Sequence, residues 1–314
     1  MGRFVLRRLL QSVVVLLGVT LVVFLLLQLV PGDPVRVSLG TRFDQQTYDA
    51  LRERSGLDRP LAVQYLNYVG NALTGDLGVS FRSGQPVTTI VLERLPATLS
   101  LAVTAVLLAL LVAFPLGVLA AVRSGSFVDH AARVFSQFGV SVPDFWMGIM
   151  GILLFAGVLG WLPPSGYVAL TDDPVGWAAH VALPAAAVGL VTASILTRFI
   201  RSSVLEVLAE DYVRTAEAKG LRRRVVVVRH VLRNALIPVV TVVGVQLASL
   251  VGGVIVIEVL FAWPGVGRLT YDAVQARDYP VLQGAVLFVA TLFLLMNLLV
   301  DVLYARLDPR ITLR

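Results

Sequence analysis

Asp144 in Ser141-Val142-Pro143-Asp144-Phe145-Trp146 and Glu258 in Val256-Ile257-Glu258-Val259 lie inside long apolar stretches of this 314-residue chain and are its first candidates for chemistry. A carboxylate in hydrocarbon is costly and therefore carries a functional hypothesis by default. Asp144 follows Pro143, which removes a backbone donor and breaks or kinks a helix. Two readings stand: Asp144 lines a pathway or meets a substrate amine, or it pairs with backbone groups freed at the kink. Glu258, near the outer end of its run, faces an outer vestibule or a partner subunit. Other catalytic sets are missing from the sequence. No G-x-x-x-x-G-K-[ST] phosphate loop occurs, and the single lysine, Lys219, stands before Gly220 rather than after a glycine. No serine sits in G-x-S-x-G, and the absence of cysteine excludes disulfide and thiolate chemistry. His130, His180 and His230 each stand alone near the ends of apolar runs, without metal-ligand spacing, which suits interfacial or hydrogen-bonding roles. The chain reads as a non-enzyme with no metal or cofactor of its own.

What remains is a polar, basic insert between two apolar runs, Glu210 to Pro238, EDYVRTAEAKGLRRRVVVVRHVLRNALIP. Ala209, Tyr212, Val213 and Ala216 fall on one helical face. Glu206, Glu210 and Asp211 stand towards the start of that helix, with Lys219 and Arg222 to Arg224 past its end, an order that suits the helix macrodipole. Gly220 is placed to stop the helix in a left-handed cap. The insert thus predicts a short amphipathic helix, a turn and a basic arm leading to Pro238. Its small apolar face is too thin for strong lipid binding and fits a protein groove.

These residues need a scaffold, and composition says which kind. Hydrophobic residues make up 57% and charged residues 15%, against roughly 25% charged in soluble domains. Six apolar stretches are long enough to cross a bilayer, near 9–30, 98–122, 134–161, 181–201, 236–261 and 284–305, and backbone pairing in lipid requires them to be helices. The run after Arg3, Arg7 and Arg8 is too long for a signal peptide and ends in Pro31-Gly32-Asp33-Pro34 without a small-x-small site, so it reads as an uncleaved first span. The pI near 10.0 does not point to nucleic acid, because the basic residues crowd into short loops beside apolar runs, as orientation signals and headgroup partners do. With both termini cytoplasmic, seventeen basic residues fall inside, among them Arg306, Arg310 and Arg314, and nine fall outside. Residues 31–97 then form an outer helical insert. In it Asp44 opens a helix holding Tyr48 and Leu51, which Gly56 ends. Pro60 opens a second helix with an apolar stripe from Leu61 through Gln64, Tyr65, Tyr68 and Val69 to Leu73. That insert caps the helix ends, docks a partner, or does both.

The insert at 210–238 resembles the coupling loop of binding-protein-dependent ABC importers, specifically the first permease subunit of dipeptide/oligopeptide systems. The same resemblance is carried by Pro31 to Pro34, GLDRPLAVQYLNYVGNALTGDLGVSF (56–81), ERLPATLSL (93–101), GWLPPSGY (160–167), FAWPGVGRL (261–269), RDYPVLQG (277–284) and LDPRI (307–311), in family order over nearly the whole chain. The general family loop reads Glu-Ala-Ala, three residues, Gly, nine residues, Ile-x-Leu-Pro. Here Arg214, Thr215 and Ala216 fill the first three positions, and His230 and Arg233 replace Ile and Pro, as in the peptide-importer branch. The resemblance implies an all-α integral membrane permease of the bacterial or archaeal cytoplasmic (inner) membrane. It would form one domain, 1–314, with six transmembrane helices, an extracytoplasmic insert at 31–97 and a cytoplasmic coupling loop at 202–235. It implies a second homologous permease, two cytoplasmic ATPase subunits that bind ATP and Mg, an extracytoplasmic substrate-binding protein, and short-peptide cargo. Tyr212, Val213, Arg214, Ala216, Lys219 and Gly220 would form the helix that seats on an ATPase. Nickel chelates, glutathione and oligosaccharides are alternative cargoes within the class, and an ion-driven secondary transporter is the alternative outside it.

Overall fold

Long apolar sequences leave the backbone few ways to satisfy itself without water, and helices dominate the described residues accordingly. The computed structural model describes residues 2–39, 44–54 and 56–307; the readings placed on Arg310, Arg314 and most of the 307–311 motif lie outside the described residues. The chain divides into two compact units, Met1–Leu99 with Val251–Leu294, and Ser100–Leu250 with Leu295–Arg314.

The first unit begins with α1 (Gly2–Gln28), then α2 (Pro34–Leu39), α3 (Gln45–Arg54) and α4 (Leu61–Leu73). Tyr65 of α4 packs on Phe24 of α1 with ring centroids 5.5 Å apart, and its hydroxyl donates to Leu17 O at 3.0 Å. Asp33 caps α2 by accepting from the amides of Val35 and Arg36. Its other oxygen accepts from Tyr48 Oη at 2.5 Å, so α3 is tied to the turn after α1. Burial alone pushes the Asp33 carboxyl up, but the Tyr48 hydroxyl, the two amides and the Arg52 guanidinium outweigh that and hold it below its ordinary value. Both insert helices stand where the sequence predicts, with Gly56 at φ 64° and Pro60 as the N-cap of α4. The α4 stripe is only half right. Tyr65 and Tyr68 turn inward, whereas Leu61 and Leu73 are exposed, Leu73 at 84%.

The same unit holds the start of α5 (Val87–Val122), α12 (Ile255–Leu260), α13 (Val266–Ala276) and the first part of α14 (Tyr279–Leu307). Asp278 is buried and ties the loop before α5 by accepting from Ser80 Oγ at 2.5 Å and Phe81 N at 3.1 Å. Val87 and Val91 pack with Val266, Ala273, Val281 and Ala285 into its core.

The second unit contains the rest of α5, then α6 (Phe127–Ser141), α7 (Asp144–Gly151) continued by a π-helical stretch Ile152–Val158, and α8 (Pro174–Leu208). After them come α9 (Asp211–Ala218), the single turn α10 (Arg223–Val225), a second π-helical stretch Val226–Val231 and α11 (Leu232–Gly253). Small residues let its helices touch. A Cβ on Gly117 would stand 2.9 Å from Ile200 and 3.0 Å from Thr197 O, and one on Gly189 would stand 2.9 Å from Ala105 O. In α6, Ser126 caps the N-terminus, and Asp129 accepts from Arg201 Nε at 2.5 Å and Nη2 at 3.0 Å, and from Gly125 N at 2.9 Å.

Among the described residues, five helices are long and apolar enough to cross a membrane, and a bent pair raises that to six if it is one span. The third apolar run, expected at 134–161 with a break or kink at Pro143, is broken there, and its first helix begins earlier, at Phe127. Phe127–Ser141 and Asp144–Val158 are separate helices bent by 99° at Val142-Pro143. Pro143 has no N–H to give and biases Val142 to the extended conformation that Val142 shows, ψ 126°. The other apolar helices begin earlier than expected, at Val5, Val87, Pro174, Arg223 and Tyr279. Polar residues in these leading turns broke the apolar pattern but not the helix. The expected fifth span 236–261 is divided, because Val254 leaves helical geometry between α11 and α12.

Candidate functional site

The loop from α8 to α11 folds as its local sequence requires. α8 ends at Leu208, Ala209 and Glu210 turn the chain, and Asp211 starts α9 with an acid in its first turn. The C-terminus of α9 is a Schellman cap. Gly220 N donates to Glu217 O at 2.9 Å, Leu221 N donates to Ala216 O at 3.4 Å, and Gly220 sits at φ 79°. Only glycine adopts that conformation without a steric cost. The predicted helix, glycine stop and basic arm are therefore all present.

The orientation of the helix differs from the reading that its apolar stripe enters a protein groove. Val213 is 1% and Ala216 8% exposed, and both lie inside this chain's own core with Val226, Val231, Ala235 and Val239. The stripe is narrow because it fills a slot in its own unit, and Ala209 stays outside it in the exposed turn. Tyr212 is 42% exposed and clasps the helix sideways. Its hydroxyl accepts from Asn234 Nδ2 at 2.8 Å and donates to His230 O at 3.3 Å. Asp211, Arg214, Thr215, Glu217, Ala218, Lys219 and Gly220 are exposed. The surface α9 presents is thus polar and charged, backed by a buried apolar face. The buried face of the helix rests on Ile200 and Val204 of α8 and on Ala235 and Val239 of α11.

Two supports escaped the sequence reading. Ser203 Oγ of α8 donates to Ala235 O of α11 at 2.7 Å, and Asp129 anchors Arg201 of α8 from α6. Ser126-x-x-Asp129 has the form of an N-terminal capping box, so a signal for Asp129 existed, but nothing local names Arg201 as its partner.

The two intramembrane acids occupy different settings. Asp144 is half-buried in the first turn of α7 and accepts from Phe145 N at 2.7 Å. It stands at the break that Pro143 makes, among backbone groups freed there. Glu258 is fully buried, and its contacts lie within its own unit. Thr98 Oγ1 donates to Oε1 at 2.8 Å, and Arg268 N donates to Oε2 at 2.9 Å. Thr98 Oγ1 in turn accepts from Val266 N at 2.9 Å, and Trp263 Nε1 donates to Ala97 O at 2.8 Å. Glu258 and Thr98 therefore satisfy the open amides at the start of α13. A Cβ on Gly265 would overlap the Glu258 carboxylate, so glycine is required at that position for the carboxylate to fit. His130 and His180 each hydrogen-bond through Nδ1 to a carbonyl one turn back, Ser126 O at 2.8 Å and Gly176 O at 2.7 Å. Among the described residues no group of three or more His, Cys, Asp or Glu could hold a metal.

The chain thus presents a set of long apolar helices with one exposed, internally braced helix between two of them, which is the arrangement of a membrane transport component. Its fold matches that of a chain in the MetNI methionine ABC transporter captured in inward-facing conformations. The TM-score is 0.57 at 17% identity, over 70% of this chain and 96% of that one. The chain belongs to the family described as binding-protein-dependent transport system inner membrane component, whose model matches residues 113–313, with the N-terminal model of the same family matching residues 1–102. It is 44% identical to the dipeptide transport system permease protein DppB of Escherichia coli (strain K12), over 99% of both chains. It is 42% identical, again over 99% of both, to a probable peptide ABC transporter permease protein, y4tP, of Sinorhizobium fredii and to a putative peptide transport system permease protein of Brucella abortus.

Proposed function

We propose that this chain is the transmembrane permease subunit of an ATP-driven, binding-protein-dependent importer of short peptides, and that α9 is where work enters it. The observation that carries the reading is α9 itself, exposed and charged on one side and locked by Val213, Ala216 and Tyr212 on the other. Full-length identity to a dipeptide permease supports the cargo class. The chain acts as one permease domain that crosses the membrane six times, with the bent α6–α7 pair counted as one crossing and both termini cytoplasmic. The insert 31–97 is extracytoplasmic, and 202–235 is the cytoplasmic coupling loop. A second permease completes the pathway, an extracytoplasmic binding protein delivers the peptide, and two ATPase subunits bind ATP and Mg. Arg214, Lys219 and Gly220 meet the ATPase, while Val213 and Ala216 carry its displacement into α8 and α11. ATP drives such a switch only through different affinities for its two states, and a rigid-body rearrangement of packed helices fits a coupling element braced in this way. Asp144 is assigned to the break in the third crossing, and Glu258 to holding α13 in place.

Reconstitution tests the reading. Vesicles with the complete complex take up labelled dipeptide only when ATP, both ATPases, the second permease and the binding protein are present. Uptake by this chain alone under an ion gradient would make it a secondary transporter. Uptake of nickel chelate, glutathione or oligosaccharide in place of peptide would retain the class and change the cargo.

A further inference from the structure

A cleft of about 320 Å³ lies along the insert. It opens between the end of α1, the inner side of α4, the loop at 76–81 and the first turn of α14, all within the first unit. Phe24 and Phe81, 5% and 4% exposed, supply buried aromatic lining, while Asn67, Asn71 and Asp76 are exposed at its edge. Tyr279 also lines it, and its buried hydroxyl has no hydrogen-bond partner among the described residues. Asn67, Tyr68 and Asn71, one turn apart on α4, give that helix a polar, hydrogen-bonding side where an apolar stripe would have sealed the space.

The chemistry of the lining selects a ligand. Asp76 is the one charged side chain among the described lining residues. Its Oδ1 accepts from Gly78 N at 2.9 Å, and its Oδ2 makes no hydrogen bond among the described residues. With no cation in the lining, an anion has no partner there. A carboxamide offers both a donor and an acceptor, as a peptide group does. Burial pushes the Tyr68 phenol up, so it stays a neutral donor, to Gln283 O at 3.2 Å. The volume is at the lower end of ligand pockets, which start near roughly 300 Å³, and suits two or three small residues rather than a long chain.

We infer that this cleft holds the amino end of a short peptide, with the ammonium on Asp76, the first peptide groups on Asn67, Asn71 and the Tyr279 hydroxyl, and the first side chain over Phe24 and Phe81. The inference rests on the peptide reading for its choice of probe. The site is separate from α9 and gives the insert a direct part in handling cargo.

The test measures binding of trialanine to the assembled permeases and ATPases, without the binding protein, in nanodiscs by saturation-transfer NMR, beside N-acetyl-trialanine, which lacks the ammonium. Asp76→Asn keeps an acceptor for Gly78 N and removes the charge, and Tyr279→Phe removes only the hydroxyl. A charged hydrogen bond is worth enough that N-acetylation and Asp76→Asn should each weaken binding by about tenfold or more, and Tyr279→Phe by about threefold. The acetylated probe needs no variant, so a misfolded Asp76→Asn does not rescue the idea. Saturable binding lost on both changes supports the site. No binding of trialanine at millimolar concentration, or binding indifferent to acetylation or to Asp76→Asn, overturns it. ATP-driven trialanine uptake, measured separately, distinguishes the two claims. Uptake without cleft binding rejects the cleft alone, and cleft binding without uptake of any peptide rejects the importer reading alone.

Discussion

Replacing Arg201 with methionine would leave the Asp129 carboxylate, 2% exposed, without the guanidinium that holds it through Nε at 2.5 Å and Nη2 at 3.0 Å. Removing one member of a buried pair costs about 3–5 kcal/mol, mostly because a charge stays behind without compensation. Two features place this site near the lower end. The Arg201 side chain is 22% exposed, and Arg133, 3.7 Å from Asp129 and 52% exposed, remains as a weaker counter-charge. At roughly 2–4 °C per kcal/mol for a chain of this order of size, a loss near 3 kcal/mol lowers the midpoint by about 6–12 °C. The assay is thermal unfolding of the detergent-purified complex at fixed scan rate, since membrane complexes unfold irreversibly. The double variant Asp129→Asn, Arg201→Met is the decisive arm. It removes both charges while asparagine still accepts from Gly125 N, so it should regain at least half of the lost midpoint. A single variant within about 2 °C of wild type would refute the argument, as would a double variant no better than the single, because the pair would then not be the source of the effect.

Four further outcomes follow from the same structure. Glu258→Leu leaves the Arg268 amide and the Thr98 hydroxyl without their acceptor, a loss of about 1–3 kcal/mol for each unsatisfied buried group, visible as a lower midpoint and faster proteolysis near α13. Gly117→Leu drives a side chain into Ile200 and Thr197 O, and overpacking of this kind costs about 1–3 kcal/mol, read as reduced recovery of folded complex. Because the Asp33 carboxyl is held below its ordinary value of 3.8, its contribution to the insert is complete above that pH and disappears as pH falls through the folded value. Limited proteolysis of residues 31–97 should therefore quicken below about pH 4, and Asp33→Asn should flatten that rise. Gly220→Val forces a β-branched residue to φ 79°, costing about 1–2 kcal/mol, and should lower uptake per ATP hydrolysed; an unchanged ratio would deny the cap a role in coupling.

Much of this was legible because it is local. Gly220 stops α9 for reasons contained in its own backbone, Pro143 breaks the third apolar run, and Gly56 and Pro60 bracket the two insert helices. What could not be read depends on residues distant in sequence. Val213 and Ala216 form a visible stripe, yet whether a stripe faces outward or inward is decided by Val226, Val231 and Ala235, and they are in. Glu258 reads from the sequence as facing an outer vestibule or a partner subunit because its true partners, Thr98 and the amides of α13, lie 160 and about ten residues away. The α4 stripe misled for the opposite reason. Leu61 and Leu73 fit the spacing, but both are exposed, while Gln64, Asn67, Tyr68 and Asn71 of the same helix line a cleft. Helix starts were placed late wherever a polar first turn, as at Arg223 or Val87, precedes the apolar run.

If motion enters through the exposed side of α9, reversing its charges while sparing its buried face disconnects ATP hydrolysis from transport. In vesicles containing the complete complex, Arg214→Glu with Lys219→Glu should leave Val213 and Ala216 packed and the thermal midpoint unchanged. Peptide taken up per ATP hydrolysed should fall by about tenfold or more, the loss of one or two charge-assisted contacts at a docking surface. A variant that assembles with both ATPases and imports peptide at the wild-type ratio would contradict it, and would move the point of coupling away from this helix.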